Sequence, residues 1–313
     1  MARGARVLVA VLLLVAPAAC AARFDVDGER AYARVVHQVE AGPRIPGSAG
    51  HRAVREWLIG EIARLGGRVS VQGALDTVAG RPLEITNIIA RFGPSAGRSL
   101  VLGAHWDTRA ASDQAADPAQ RSLPVPGAND GASGVAVLLE VAELMSRRPP
   151  ARPVDLVFFD GEDQGRAAFP NEFSRGARAF ADSVRPLVAA GTGPQAAFIF
   201  DMVGDRDLGI YPEVISQERA SNLVELVLEA ARATGAVHFH TRARYAITDD
   251  HVPLLDAGVP AVDIIDFDYR AWHTPADLPD QVSPKSLAEV ARVAAWIVYR
   301  SPLARPISAP RNP

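Results

Sequence analysis

The chain has 313 residues, 48% of them apolar and 22% charged, with a formal net charge of −3. That apolar content is ample for a core and excludes disorder as the dominant state, and the near-neutral balance gives no reason to expect a nucleic-acid partner or an anionic membrane surface. A single cysteine excludes intrachain disulfides, Cys-based zinc clusters and iron–sulfur centres, leaving oxygen, imidazole and backbone groups for any chemistry.

Arg3 and Arg6 precede an apolar run from Val7 to Ala16, followed by Pro17 and small residues through Ala22. Ten residues of helix span about 15 Å, roughly half of a bilayer's hydrocarbon core, so the run is too short to be a membrane anchor by itself. A basic start, a short apolar stretch and small residues read as an export signal over residues 1–22, which places the protein in the periplasm or outside the cell. Cys20 sits where a lipoprotein signal peptidase would cut, although Pro17 stands where leucine is usual. A lipid anchor at Cys20, and cleavage near Ala18 or Ala22 with Cys20 incidental, both stay open. Residues 23–301 are expected to form a single catalytic domain and residues 302–313 a loose Pro-rich tail. No other run is long and apolar enough to make a transmembrane helix, and the oligomeric state is left open.

From Asp27 to Leu65 the pattern is helical, broken at Gly42–Ser48. Strand-like runs follow at Arg68–Val71, Ile85–Phe92 and Leu100–Gly103. Trp106 to Ala128 has loop character, and Gly131–Arg147 has apolar residues at helical spacing. Val154–Phe159 reads as a buried strand, Gly176–Val184 as a helix and Ala196–Phe200 as a strand. Arg219–Ala233 is again helical, Ala261–Ile265 a strand and Ser286–Tyr299 a final helix. This alternation predicts an α/β fold of three layers, α/β/α, with a mostly parallel mixed sheet and helices on both faces. In such sheets ligands collect beyond the carboxyl ends of the strands.

Those ends are where the polar residues fall. Leu100–Gly103 runs into His105 and Asp107, Val154–Phe159 into Asp160, Glu162 and Asp163, and Ala196–Phe200 into Asp201. Asp130 lies just before the Gly131 helix, and Trp272-His273 follow the last strand. Imidazole and carboxylate without thiolate suit a catalytic Zn²⁺ site, and crowded carboxylates repel unless a cation sits among them. Asp107 is placed to fix the tautomer of His105. Glu162 and Asp163 can divide labour, one as proton shuttle and one as metal ligand. Singly, each residue has a plainer reading: Asp130 as a helix N-cap, Glu162-Asp163 as a solvated turn, Asp201 as a strand cap and His273 as part of a turn. His37, His51 and His251 read as structural, and His238 and His240 as partly exposed. Arg109 and the loop to Pro126 either shape a pocket rim or form a solvated excursion.

Six segments occur in a telling order: Gly103-Ala-His-Trp-Asp-Thr-Arg109, Gly127-Ala-Asn-Asp-Gly-Ala-Ser-Gly-Val135, Phe158-Phe-Asp-Gly-Glu-Asp163, Asp201-Met-Val-Gly204, Thr248-Asp-Asp-His-Val-Pro253 and Trp272-His-Thr274. They resemble the co-catalytic zinc aminopeptidase superfamily, and most of all its glutaminyl-peptide cyclotransferase branch of animal and bacterial type. The resemblance implies that Asp130, Asp163 and His273 bind one zinc ion, with Asp163 standing where glutamate is commoner. It implies that Glu162 is the general acid–base, that Asp201 and Asp249 hydrogen-bond in the site, and that Trp272 walls the pocket. In the aminopeptidases His105 and Asp201 would hold a second zinc, with Asp130 bridging. Two activities on peptide or protein N-termini follow: cyclisation of an N-terminal glutamine to pyroglutamate with release of ammonia, or hydrolysis of the first peptide bond. A third reading keeps the fold as a non-catalytic peptide-binding lipoprotein.

Overall fold

Six strands form one sheet in the order β1-β2-β4-β3-β5-β6, and their chemistry explains which of them pair in parallel. The computed structural model describes residues 24–305 apart from Ala167, so the export signal with Cys20, and residues 306–313 of the tail, lie outside the described residues. β3 (Leu100–His105), β4 (Val154–Phe159), β5 (Ala196–Asp201) and β6 (Ala261–Ile265) are buried along their whole length. They pair in parallel, as short apolar runs covered on both faces should. β1 (Arg68–Val78) and β2 (Arg81–Phe92) form an antiparallel hairpin, and β2 joins the parallel block antiparallel to β4. The sheet is therefore mixed and mostly parallel, as expected.

The hairpin is longer than its apolar pattern indicates. Beyond Val71 and before Ile85 the two strands alternate between exposed and partly exposed residues, so no apolar face marks them. Their register is closed instead by a two-residue turn, Ala79-Gly80, with φ of 52° and 75°. Positive φ at both central positions matches the right-handed twist of a tight hairpin.

α1 (Gly28–Glu40) and α2 (Ala49–Arg64) precede the hairpin, and α3 (Ala132–Arg147) joins β3 to β4. α4 (Arg175–Ala189) follows β4, α5 (Val214–Arg219) and α6 (Ser221–Thr234) follow β5, α7 (His251–Asp256) precedes β6, and α8 (Pro284–Tyr299) ends the domain. α1, α3, α6 and α8 pack together on one side of the sheet and α4 with α7 on the other. The helical stretch from Arg219 divides at Ala220, so α5 is a separate short helix. Arg34 ties α1 to α2 and α3 through Glu61, Glu140 and Glu143 at 2.6–2.8 Å.

α3 lies close against the sheet because Gly134 leaves room for it: a Cβ there would stand 2.2 Å from the Phe200 carbonyl oxygen and 2.9 Å from the Ala104 Cβ. Of the expected tail, Pro302–Ala304 form a short 3-10 turn, and Arg152 donates to the Leu303 carbonyl, so this part is docked rather than loose. Among the described residues no helix is long and apolar enough to cross a membrane.

Candidate active site

All the strand-end residues converge at the carboxyl edge of β3, β4, β5 and β6. His105 is the last residue of β3 and Asp201 the last of β5, and Glu162 and Asp163 sit in a 3-10 turn directly after β4. Asp130 is not a helix cap: the residue capping α3 is Gly131, and no side chain accepts there. Its carboxylate faces two histidines instead, with Oδ1 3.0 Å from His105 Nε2 and Oδ2 3.7 Å from His273 Nε2. Asp201 Oδ1 lies 3.1 Å from the same His105 nitrogen, and Asp163 Oδ1 lies 3.2 Å from His273 Nε2. Two overlapping clusters result, His105–Asp130–Asp201 and Asp130–Asp163–His273, each with its ligand atoms within 4.8 Å of one another.

The backbone that delivers these groups is itself tied down. Asp277 accepts from the amides of Asn129 (2.8 Å) and Asp130 (3.2 Å), and Tyr269 donates its hydroxyl to Asp277 at 2.6 Å. Gly131 is required beside them, since a Cβ would stand 2.5 Å from His105 Nε2. Asp107 lies 3.5 Å from His105 Nδ1, but its stronger contacts are with the turn that carries the catalytic candidates. It accepts from the amides of Glu162 (3.1 Å) and Asp163 (3.2 Å) and from Gln164 Nε2 (2.9 Å). Arg44, in the break between α1 and α2, donates to the carbonyls of Trp106, Pro126 and Gly127 and so fastens both ends of the long loop.

That loop shapes the rim of the pocket, one of its two expected roles, and adds Asp113, which the sequence pattern did not mark. Asp113 Oδ1 lies 3.1 Å from His273 Nδ1, and Arg109 reaches both Asp113 and Asp163. Other expectations stand apart from the centre. His51 Nε2 lies 3.0 Å from Asp160 and its ring stacks on Trp106, which is a structural role. His238 is half-exposed and lies 3.0 Å from Glu289.

The electrostatics follow from the crowding. Burial raises the Glu162 carboxyl well above its ordinary value, and Asp249 adds to the shift. Asp249 itself is pushed up to about 6 by burial and by Asp201. Burial works against a charged His273, yet Asp163, Asp113 and Asp130 outweigh it and push the imidazole up to about 10. His105 is raised well above 6.5 in the same way, with Asp201 foremost among the carboxylates opposing burial. The carboxylates crowded around both imidazoles are what raise them, so the donors of this site call for positive charge. Asp163 Oδ2 is buried with no partner. This donor set of oxygen and imidazole fits a divalent ion such as zinc.

The site opens into a pocket of about 360 Å³ lined by Glu162, Asp201, Asp249, Met202, Phe267 and Trp272 among others. Trp272 stacks on His273 with ring centroids 4.0 Å apart and meets Phe267 at 5.0 Å. His273 adopts φ of 54°, a left-handed turn that turns its ring inward against Trp272.

The sequence profile of Peptidase family M28 matches residues 87–298, more than half of the chain. The chain belongs to that family. The M28 match spans β3 to α8 and so includes every residue of the two clusters. Among solved relatives, a glutaminyl cyclase from Porphyromonas gingivalis is 35% identical, with a TM-score of 0.81, covering 86% of this chain and 96% of its own. A Zn-dependent exopeptidase from Parabacteroides distasonis is 34% identical, with a TM-score of 0.84, covering 90% of this chain and all of its own. A glutaminyl-peptide cyclotransferase from Drosophila melanogaster is 28% identical over 292 residues, 81% of this chain and 76% of its own. The M28 fold, with helices on both faces of a mixed sheet, is the one the sequence predicted.

Proposed function

We propose that this M28 protein is a zinc-dependent glutaminyl-peptide cyclotransferase, acting on peptide or protein N-termini. The observation that carries the reading is the placement of Glu162: a buried carboxyl with a raised pKa in the pocket that Trp272 and Phe267 wall with apolar surface. Cyclisation needs a proton shuttle and the exclusion of water, which competes with the α-amine as nucleophile. Asp130, Asp163 and His273 are the proposed ligands of a single zinc ion, and when bound it supplies a Lewis acid for the side-chain amide carbonyl.

The remaining steps belong to the chain. The apolar wall holds the glutamine side chain folded toward its own α-amine, so that the attack is intramolecular. As the amine nitrogen bonds to the amide carbon, Glu162 accepts its proton. The amide C–N bond then breaks, and Glu162 returns the proton to the departing nitrogen, which leaves as ammonia. Asp201 and Asp249, beside it in the pocket, hydrogen-bond the reacting nitrogens and keep Glu162 basic enough to cycle.

A second reading is favoured by one observation, the filled His105–Asp130–Asp201 cluster, which offers a second ion the donors that a two-zinc aminopeptidase would use. Mass spectrometry of a glutaminyl peptide after incubation separates the two. The cyclase predicts the full-length peptide less one ammonia, and a peptide shortened by its first residue would instead support hydrolysis. Export through residues 1–22, with or without a lipid on Cys20, completes the proposal and places the enzyme where extracellular or periplasmic N-termini are available.

A further inference from the structure

The long loop after β3 carries a buried cation that touches one proposed zinc ligand and, through a carboxylate, braces another. Arg109 Nη1 donates to Asp163 Oδ1 at 2.9 Å and to the Asp163 carbonyl at 3.1 Å, while Nη2 donates to Asp113 Oδ2 at 2.5 Å. Asp113 Oδ1 in turn lies 3.1 Å from His273 Nδ1, whose Nε2 faces Asp163 and Asp130. Arg109 is buried, and its guanidinium lies 5.4 Å from the Phe173 ring. These contacts form a closed circuit: Asp163, Arg109, Asp113, His273 and back to Asp163.

We propose that Arg109 and Asp113 are a positioning clamp that fixes the orientations of Asp163 and His273. Asp113 accepts from the outer nitrogen of His273, which fixes the tautomer and aims Nε2 inward. Arg109 grips the side chain and the carbonyl of Asp163 together, which sets the rotation of a carboxylate too short to be steered by its own stem. A guanidinium suits this because its donors form a rigid fork, whereas an ammonium is a point charge that cannot span three acceptors in fixed directions. The proposal rests on the zinc reading of Asp163 and His273 but not on the reaction.

The test therefore uses metal binding rather than turnover. The full chain is loaded with Co²⁺ in place of zinc, and its visible absorption is compared with that of Arg109→Lys and Arg109→Ala; zinc affinity is measured by competition with a chelating dye for wild type and Asp113→Asn. The clamp predicts altered cobalt bands in both Arg109 variants, with lysine failing to restore the wild-type spectrum. It also predicts a loss of zinc affinity of about 10- to 100-fold in Asp113→Asn, which keeps the shape of the side chain and guards against simple misfolding. A wild-type spectrum in Arg109→Lys, with Asp113→Asn holding zinc as tightly as wild type, would overturn it. A chain that binds zinc and shows these changes but does not cyclise glutamine would uphold the clamp while refuting the cyclase.

Discussion

Asp130 and Glu162 are both buried carboxylates at the carboxyl edge of the sheet, and their neighbours give them different work. Asp130 stands between two imidazoles, the setting of its proposed role as a ligand. Glu162 meets burial and the negative charge of Asp249, and both raise its carboxyl well above the ordinary glutamate value, which makes it a stronger base than an ordinary glutamate. Glu162→Gln keeps the size and loses the base, so kcat should fall by about 10²- to 10⁴-fold with little change in KM; steady-state ammonia release checks this. A second residue gives a pH prediction away from the site. Burial raises Asp266 from 3.8 to about 7, against the amides of Gly209 and Asp268 that favour its charged form. Between those two values the folded state binds the proton more tightly than the unfolded state, so the contribution of this group to stability is complete below 3.8 and declines as pH rises through 7. Denaturant unfolding on either side of pH 7 should show a shallower decline in Asp266→Asn than in wild type. His105, Asp130, Glu162, Asp163, Asp201 and His273 were legible in the sequence because each follows, or is tied to, a buried apolar run. Arg109 was legible only as a candidate for the pocket rim and Asp113 not at all, since their loop has no period and their meeting with Asp163 and His273 spans 54 and 160 positions.

At the scale of elements, the short apolar strands were readable because burial on both faces leaves an unbroken run of apolar residues. The turn end of the hairpin, beyond Val71 and before Ile85, and α7 were not. That end of the hairpin has no buried face to reveal, and α7 has six residues, too few for helical periodicity to register. The long loop, read as rim or excursion, is the rim: Arg109 and Asp113 line the pocket, Arg44 anchors its ends, and Asp107, Thr108, Arg109 and Ser112 are buried. α3 illustrates how an element fixes the site. It starts at Ala132, two residues after Asp130, and lies on β3 and β5 at Gly134, so a displaced helix moves the Asp130 loop with it. Gly134→Ala should destabilise the protein by about 1–3 kcal/mol through overpacking. Calorimetry should record a lower unfolding temperature; an unchanged one would mean that α3 can withdraw from Phe200 without cost.

Over the whole molecule, the modest net charge conceals a concentrated buried cluster of carboxylates, and the balance of that cluster links folding to metal. An ion that binds only the folded chain stabilises it, by about 4 kcal/mol when its free concentration is a thousand times Kd. Chelation should therefore lower the unfolding temperature, and added zinc should restore it. Membership of family M28 and the sheet order account for where the cluster sits, at the carboxyl ends of parallel strands. One paired measurement tests most directly whether ring closure depends on zinc. A peptide with N-terminal glutamine is incubated with the purified chain as isolated, after chelation, and after zinc is restored, while ammonia and free amino acid are measured together. A zinc-dependent cyclase releases ammonia without free amino acid, and that release is lost on chelation and recovered with zinc. Free glutamine without ammonia, or ammonia release that survives complete removal of metal, would contradict it.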